Sequence, residues 1–445
     1  MKRITVGMLL ACVLILAGVL SACGGNNNGG GNSGGSSEGG SSGKQEKVKL
    51  SLLVDNSQDS INIGEALIKA FTGKYPHIEI ELETRPQGSE GDNFVKTRLA
   101  TGDMNDIFFY NSGSLLQALN PEQNLLDLTG EPFLDNLLES YLPVVSSNGK
   151  VFGVPFRSSV AGGWFYNKKI YEEYGLSVPK TWDELMANLE KLKGTGVAPT
   201  IGSFKDTWTS QLIVLADFYN VLQEEPNFPA DYTANKAKYA TTPAALRSFQ
   251  KLGETVGYYN EDLLATTYDT ALAMLAEGKG AHYPMLSFAV PVLVQNFPDL
   301  VDDIGFFAQP GDDPNNVGLT VWMPDSAYAS ANTKHPEEVK LFLSFIASTE
   351  GMDVVSSVTT PSGPYVVKGA ELPEDVPQVV KDMLPYFNTE GKTSPALEFL
   401  SPVKGPMLEQ LTVEVGAGMR SPEEAAALYD QDVEKQAQQL GLEGW

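Results

Sequence analysis

Apolar and polar residues alternate through the first patterned stretch of the chain. In KVKLSLLVD, residues 47–55, apolar side chains recur at every second position, as in a strand with one buried face. INIGEALIKAFTGKYP, residues 61–76, carries apolar side chains at helical spacing, and HIEIELET, residues 77–84, alternates again. A strand, a helix and a strand in this order predict parallel pairing of the two strands, and we therefore expect an α/β fold.

The same pattern continues along the chain. DNFVKTRLATGDMNDIFFYNSG, residues 92–113, predicts a helix that ends near Gly102 and a short buried strand from Asp106 to Tyr110. Strong helix signals follow in VPKTWDELMANLEKLKGTG, residues 178–196, and KHPEEVKLFLSFIASTEG, residues 334–351. Because ligands in open α/β sheets bind at the carboxyl ends of the strands, we expect a site among the loops that leave those ends.

The first 45 residues follow neither pattern. Two basic residues precede an almost uninterrupted apolar stretch from Ile4 to Leu20, which is typical of a secretory signal and is at the short limit for a membrane span. Residues 24–43 are Gly, Ser and Asn apart from one Glu, and a flexible chain of that length reaches about 25 Å. We interpret residues 1–22 as a signal peptide and residues 23–45 as a tether.

The end of the signal peptide resembles a bacterial lipobox. Leu20-Ser21-Ala22-Cys23 has the small residues and the cysteine of that motif, placed after a basic start and an apolar run. The resemblance implies that Cys23 is lipidated on its sulfur and becomes the new N-terminus, which would anchor the chain at the extracellular face of the cell membrane. Cys12 lies in the removed peptide, so the mature chain would hold one cysteine and no disulfide.

Charge and motif content exclude several classes of function. The formal net charge is -25, or -27 without Lys2 and Arg3 of the signal peptide, and such a surface repels nucleic acid. His77, His282 and His335 follow no metal-ligand spacing, and the sequence has no H-E-x-x-H or C-x-x-C motif. We therefore expect no metal, no cofactor and no nucleic-acid partner.

Seven segments carry a resemblance to a known family. The most specific is WFYNKKIYEEYGLSVPKTWDEL, residues 164–185, which has Tyr-Asn-Lys, Gly-Leu and Thr-Trp-Asp-Glu-Leu at a characteristic spacing. The others are GDMNDIFF, NGKVFGVPF, LAEGKGAHYPM, DIGFFAQPG, KHPEEVKLFLSFIASTEG and RSPEEAAALYDQDVEKQ. In their order along the chain, these segments resemble the extracellular solute-binding proteins of family 1, the group that includes maltose-binding protein.

The resemblance implies a periplasmic-binding-protein-like fold, in which two α/β lobes are joined by a hinge and enclose a ligand cleft. The implied lobes are residues 46–155 with about 311–348 for lobe 1, and residues 156–310 with about 349–445 for lobe 2. VFGVPF, residues 151–156, and GFFAQPG, residues 305–311, would be the crossings between them.

The resemblance also implies a function. The chain would be a receptor that captures a carbohydrate, most often an oligosaccharide, and delivers it to the membrane subunits of an ABC permease. It would contact the membrane only through its lipid anchor, act as a monomer, need no cofactor and catalyse no reaction.

Aromatic candidates for the ligand site follow from the chemistry of sugars, whose apolar C–H faces stack on aromatic rings. Trp164, between the first crossing and the Tyr-Asn-Lys motif, is the leading candidate, although a core tryptophan is equally compatible with its position. Trp208, Tyr283 and Trp322 are weaker candidates. Trp182 belongs to a helix start and is expected to be structural.

Polar candidates are side chains able to bind sugar hydroxyls. Asp106 stands where family members usually have Pro-Asp, and its alternative role is to cap a turn. Arg157 follows the first crossing and either contacts the ligand or pairs with an acid at the hinge. Asp55 and Arg85 end the first two strands, and Tyr365 in TPSGPYV resembles the return loop of the second lobe.

Two other classes of protein remain open at this point. A secreted glycoside hydrolase or lyase would share the signal peptide, the acidity and the aromatic residues, because a pair of catalytic carboxylates has no fixed spacing in sequence. A surface adhesin would show repeats or a stalk-like composition, which the chain lacks beyond its tether. The same receptor fold could also bind a polyol or another solute that is not a sugar.

Overall fold

The structure, a computed structural model, describes residues 47–445. The predicted signal peptide, the lipidation site at Cys23 and the tether therefore lie outside the described residues. The strands are β1 Val48–Asp55, β2 Ile78–Arg85, β3 Ile107–Tyr110, β4 Ser146–Ser147, β5 Lys150–Val151, β6 Gly153–Pro155, β7 Val160–Asn167, β8 Ala198–Thr200, β9 Gly280–Leu286, β10 Ile304–Ala308, β11 Leu319–Trp322, β12 Ser326–Ala329 and β13 Thr393–Pro395.

The helices lie between and around these strands. They are α1 Gln58–Lys74, α2 Gly88–Thr101, α3 Ser114–Gln117, α4 Pro121–Asn124, α5 Lys168–Tyr174, α6 Trp182–Leu192, α7 Leu212–Ala216, α8 Phe218–Glu224, α9 Phe228–Thr233, α10 Pro243–Glu254, α11 Tyr268–Ala276, α12 Ala289–Asn296, α13 Pro336–Ile346, α14 Thr349–Ser356, α15 Gln378–Lys381, α16 Leu384–Phe387, α17 Leu408–Gly416 and α18 Pro422–Gln439.

The first sheet has the strand order β2-β1-β3-β12-β6. β1 pairs with β2 and β3 in parallel, which confirms the α/β prediction made from the alternating stretches. β12 runs antiparallel to both β3 and β6. The buried face of α1, which includes Ile63, Leu67 and Phe71, packs on this sheet together with α13 and α14. Phe71 meets Phe342 of α13 with ring centroids 4.9 Å apart.

The second sheet is built around β7, and its order is β13-β11-β7-β9-β8. β7 pairs with β9 along one side and with β11 and then β10 along the other, always antiparallel. It is a central strand, and seven of its eight residues are buried. Two hydrophobic clusters pack around this sheet, one with Trp164 and Trp182 and the other with Phe165 and Met285.

The predicted end of one helix is confirmed, and the structure shows how a second helix begins. α2 ends at Thr101, and the next residue, Gly102, has φ of 76°, a left-handed conformation that glycine adopts without steric cost. The Thr181 side chain accepts a hydrogen bond from the backbone N–H of Glu184 at 3.2 Å, as a capping residue of α6 should.

The chain passes between the two sheets differently from the predicted crossings. β10, within the predicted second crossing, pairs with β7 along its whole length and belongs to the second sheet. β11 also pairs there, with β7 and β13. The two short links between the sheets are instead residues 156–159, after β6, and residues 323–325, after β11, and a third, longer passage follows Val367 on the way from β12 to β13.

The C-terminal part of the predicted lobe division differs as well. α14 packs on α1 in the first hydrophobic core, and Val367 forms a β-bridge with Leu137 of the same core. A division that follows the two sheets therefore assigns residues 311–322 to the second sheet and residues 349–367 to the first, the reverse of the predicted assignment.

Candidate functional site

Five strand ends of the first sheet meet at one edge. The parallel strands β1, β2 and β3 end at Asp55, Arg85 and Tyr110, and Asp55 lies directly opposite Arg85. The antiparallel strand β12 begins there, with Ser326 opposite Tyr110, and β6 ends there, with Pro155 opposite Ser326. The edge that carries the carboxyl ends of the parallel strands is thus the edge from which both links depart.

The matching edge of the second sheet receives those links. β7 begins at Val160, opposite Trp322 at the end of β11, and β9 ends beside them at Leu286. Links of four and three residues hold the two edges within roughly 14–18 Å of each other, since an extended residue spans at most about 3.6 Å. This geometry defines a cleft between the sheets, which is where the candidate site lies.

An arginine at the start of the first link is surrounded by acids. Nη2 of Arg157 donates to the hydroxyl of Ser60 at 3.0 Å and lies 3.6 Å from the carboxylate of Asp59, which is in the first turn of α1. Nη1 lies 3.7 Å from a carboxylate oxygen of Asp325 in the second link. Arg157 therefore ties α1 and the two short links together where the sheets are joined.

The pKa values in this cluster follow from burial and charge. Burial raises the pKa of Asp55. The charge of Arg157 and hydrogen bonds from Ser57 and Ser60 lower that pKa by more than burial raises it, so the pKa is below its usual value. For Asp325 burial dominates over the attraction of Arg157, and its pKa is raised. Burial by itself lowers the pKa of Arg157, and three acidic neighbours raise it above the usual value.

Aromatic stacking fixes the position of Arg157. Its guanidinium carbon lies 4.6 Å from the ring centroid of Phe156, and that ring stacks on Phe109 of β3 with centroids 3.8 Å apart. Arg85 makes a similar approach to Tyr110, at 5.5 Å, and donates to the backbone carbonyls of Pro86 and Phe109. Both cations are thus held in place by the first sheet.

The second sheet contributes an aromatic group to the cleft. Trp208 packs against Tyr268 and Phe288, with ring centroids 5.4 Å and 5.7 Å away, and all three rings are partly exposed. Trp322, at the end of β11, lies over Gly162, where a Cβ atom would come within 2.6 Å of the indole. A glycine is needed there because any side chain would displace the ring.

Residues 359–363 form a loop that joins the two sides of the cleft. The Thr359 hydroxyl donates to Asp59 at 2.5 Å. The backbone N–H of Ser362 donates to the Ser158 hydroxyl in the first link, and its carbonyl accepts from Ser287, just after β9. This loop connects the acidic cluster to the first link and to the edge of the second sheet.

Four of the ten buried side-chain polar atoms that lack a hydrogen-bond partner among the described residues lie at this site. They are Nε of Arg85, the hydroxyl of Tyr110, which is near Asp92, Nε of Arg157 and the hydroxyl of Tyr268. Arg85 is 6% exposed and Tyr110 is 1% exposed, so bulk solvent does not reach these groups freely. Because buried donors are almost always satisfied in proteins, four such groups around one cleft are available to bond a polar ligand.

Five of the predicted site residues are brought together here: Asp55, Arg85, Arg157, Trp208 and Trp322. Other members of the site were missed by the sequence analysis, namely Asp59, Tyr110, Tyr268, Phe288 and Asp325. Asp59 could have been predicted, because it is in the first turn of the helix that follows β1, next to the loop that leaves the end of that strand. Tyr268 and Phe288 had none, since only the antiparallel second sheet brings them to the cleft.

Two predicted aromatic ligands are instead core residues. Trp164 is fully buried, donates its Nε1–H to Gln309 and stacks parallel to Phe307. Tyr283 is 1% exposed, and its hydroxyl shares a hydrogen bond with Ser203 at 2.7 Å. Both residues lie in central strands covered on both faces, so neither ring can stack on a solute. Trp182 is buried, as the structural role predicted for it requires.

Two predicted polar ligands also have structural roles. Asp106 precedes β3 and therefore lies at the end of the sheet opposite the cleft. Its carboxylate accepts hydrogen bonds from Ser51 of β1 and Thr333 of the loop after β12, so it joins distant segments of the first sheet and does not cap a turn of its own. Tyr365 is 6% exposed in the first hydrophobic core, where its hydroxyl bonds to Ser356, and it does not belong to the second lobe.

A separate hollow of about 270 Å³ lies among Val178, Phe307, Val317 and Tyr386. Within the described chain, none of its lining residues carries a buried unpartnered polar atom, so it lacks the feature that marks the cleft. The described residues also contain no group of three or more His, Cys, Asp or Glu side chains suited to a metal ion. Nor does any described helix combine the length and apolarity needed to cross a membrane.

The two sheets, each packed with helices, are joined by short links and have a polar and aromatic cleft between them. This arrangement defines a two-lobed solute-binding fold. A family model for bacterial extracellular solute-binding proteins matches residues 57–353, and the chain belongs to that family. As a member of this family, it is an extracellular binding protein.

Three individual proteins illustrate the similarity. The chain is 27% identical over 346 residues to a multiple sugar-binding protein of Streptococcus mutans, covering 75% of this chain and 79% of the relative. It is 23% identical over 338 residues to the melibiose/raffinose/stachyose-binding protein of Bacillus subtilis, covering 72% and 74%. A solved chitin oligosaccharide binding protein superposes with a TM-score of 0.76 at 21% identity, covering 88% of this chain and 99% of that one.

Proposed function

We propose that this chain is a lipid-anchored extracellular receptor that binds a carbohydrate in the cleft and delivers it to an ABC permease. The observation that carries the proposal is the composition of the cleft. Partly exposed aromatic rings on one side face buried, unpartnered hydrogen-bonding groups on the other. A sugar ring has apolar C–H faces that stack on the aromatic rings and hydroxyls that bond to the unpartnered polar groups.

Each hydroxyl of a sugar both donates and accepts a hydrogen bond. The carboxylates of Asp59 and Asp325 accept, whereas Nε of Arg157 and Nε of Arg85 donate. Acceptors and donors therefore stand side by side at the first-sheet edge, as a hydroxyl requires. Closure of a cleft around the ligand removes water and strengthens each of these bonds.

The named specificities of the relatives support a carbohydrate. The Streptococcus mutans protein is named for several sugars, and the Bacillus subtilis protein for melibiose, raffinose and stachyose. Both share the folded part of this chain, and the chitin oligosaccharide binding protein shares its fold. The family consists of binding proteins, and we propose that this chain, too, catalyses no reaction on its solute.

Carbohydrate binding is tested by thermal unfolding of the purified protein with raffinose, stachyose, xylo-oligosaccharides, chitin oligosaccharides, polyols and anionic solutes. A ligand at a hundred times its Kd adds about 2.7 kcal/mol to the stability of the folded state. For about 400 folded residues, that free energy raises Tm by about 3 °C. Calorimetric titration of each hit then gives its affinity and reveals any turnover.

Matched variants locate the site. Trp322→Ala is expected to weaken binding of a hit at least about 10-fold, because it removes a stacking surface in the cleft. Trp445→Ala is the control, since that tryptophan is partly buried near Tyr232, away from the cleft. Equal affinity in both variants, or a shift caused only by polyols or anions, would contradict the proposal.

The lipid anchor is tested separately in cells. Cys23→Ser is expected to release the protein into the medium, whereas Cys12→Ser, within the signal peptide, leaves it attached. Retention of the Cys23→Ser variant on the membrane would contradict lipidation at that residue.

A further inference from the structure

The charges at the first-sheet edge do not balance. Asp55, Asp59 and Asp325 surround Arg157, and Arg85 is a second cation that acts on Asp325, so that three acids stand against two cations here among the described residues. The unpartnered hydroxyl of Tyr268 is on the far side of the cleft. Burial is the main cause that raises the pKa of this tyrosine, and the charge of Asp59 is one of the smaller causes. The ligand position between the sheets is therefore next to excess negative charge.

The cations at this edge are already engaged. Both terminal nitrogens of Arg157 face oxygen partners, and both terminal nitrogens of Arg85 donate to backbone carbonyls. Only Nε of each guanidinium is without a partner among the described residues. Tight binding of a carboxylate or phosphate uses two parallel N–H groups of one guanidinium. Its second oxygen would therefore share a terminal nitrogen with Asp59, Asp325 or a backbone carbonyl.

The other side of the cleft also carries carboxylates. Asp206, close in sequence to Trp208, accepts from the backbone N–H of Tyr268 at 2.7 Å, and the neighbouring Lys205 is exposed. Lys404 lies 2.8 Å from Glu398, whose charge also acts on Asp325. An anionic group entering the cleft would thus meet carboxylates on both sides, Asp59 and Asp325 on one and Asp206 on the other.

From these contacts we infer that the site selects uncharged saccharides and rejects those that carry a carboxylate, phosphate or sulfate group. The inference rests on the proposed carbohydrate function and adds the charge class of the ligand. Asp59 is its main determinant, because its carboxylate lies 3.6 Å from Arg157 and accepts from Thr359 in the loop that joins the two sides of the cleft. Like charges placed together at a binding site oppose association.

The test compares three forms of one sugar. Raffinose, stachyose and triacetylchitotriose are titrated into the protein as neutral parents, as acids oxidised at a primary C6 hydroxyl, and as the corresponding C6 amides. For any parent that binds, the acid is expected to bind at least about 10-fold more weakly, and the amide within a few-fold of the parent. The amide has nearly the shape of the acid without its charge, so it separates charge from steric fit.

Two variants assign the effect to a residue. Asp59→Asn removes one negative charge at the cleft. The gap, that is, the ratio of the affinities for the amide and the acid, is expected to narrow severalfold in this variant. Glu65→Gln removes one charge from an exposed position of the same helix, and the gap is expected to stay unchanged. High salt is expected to narrow the gap as well, because screening weakens the repulsion.

The outcomes are distinct. An acid that binds as tightly as its parent overturns the inference, and so does an amide as weak as the acid, since the loss would then be steric. A gap that Asp59→Asn and Glu65→Gln leave equally unchanged also overturns it. If Asp59→Asn does not fold, the affinities of the unaltered protein for the acid and the amide still test the inference. Failure of the proposed function looks different, because then no saccharide binds in any form.

Discussion

His282 gives the protein a specific sensitivity to acid. Its ring is completely buried in β9, with Nδ1 2.7 Å from the carbonyl of Pro199 and Nε2 2.7 Å from the hydroxyl of Tyr171. Because a carbonyl only accepts, Nδ1 carries the proton and Nε2 accepts from the tyrosine. Burial lowers the pKa of His282 to about 4, even though the Pro199 carbonyl favours the charged form.

The sign and size of the effect follow from linkage. The folded-state pKa lies below the unfolded value of 6.5, so the unfolded chain binds the proton more tightly. The contribution of neutral His282 to stability is therefore complete above pH 6.5 and is lost as the pH falls toward 4. Between pH 7.5 and pH 5, the free energy of unfolding should drop by about 2 kcal/mol from this residue, at 1.36 kcal/mol per pKa unit.

Urea unfolding at pH 7.5 and pH 5 measures this loss in the unaltered protein, in His282→Gln and in His77→Gln. His282→Gln is expected to be less stable at pH 7.5 but to lose about 2 kcal/mol less on acidification, because no proton can bind at that position. His77 is partly exposed, and its replacement should leave the loss unchanged. An equal loss in all three proteins would refute the reasoning.

Three further predictions concern the second sheet. Lys251→Met is expected to cost about 3–5 kcal/mol in urea unfolding, because it leaves the buried carboxylate of Asp217, 2.6 Å away, without its cation; adding Asp217→Asn should recover part of that loss. Trp164→Ala is expected to cost about 3–5 kcal/mol without changing the solute affinity of the folded fraction, since the ring is in the core. Trp322→Phe should keep most of the affinity that Trp322→Ala loses, because an aromatic face remains, and calorimetric titration compares the two.

The sequence supported the fold more firmly than the site. Alternation in β1 and β2 and the apolar face of α1 predict the parallel first sheet, because period and burial are coupled along a single element. Asp55, Arg85 and Arg157 were found by the same logic, since Asp55 and Arg85 are the last residues of their strands and Arg157 is two residues after the end of β6.

The sequence did not show which side chains of a buried strand point into the core and which point toward the cleft. Trp164 and Tyr283 lie near predicted functional segments, yet β7 and β9 are central strands buried on both faces, so no alternation distinguishes core from cleft. Asp106 was proposed because it stands where family members usually have Pro-Asp, yet it precedes its strand and lies at the end of the sheet opposite the cleft. Tyr268 and Phe288 reach the cleft only through antiparallel pairing between segments far apart in sequence.

The ion pairs of Arg157 join the two links between the sheets, and this has an evolutionary consequence. A substitution at Arg157 or Asp325 that adapts the cleft to a new solute also alters the connections about which the lobes open. Trp208 and Phe288 belong to one side only, and changes there leave those connections intact. Related receptors should therefore diversify their solutes mainly through the aromatic side of the cleft, while the charged side changes slowly.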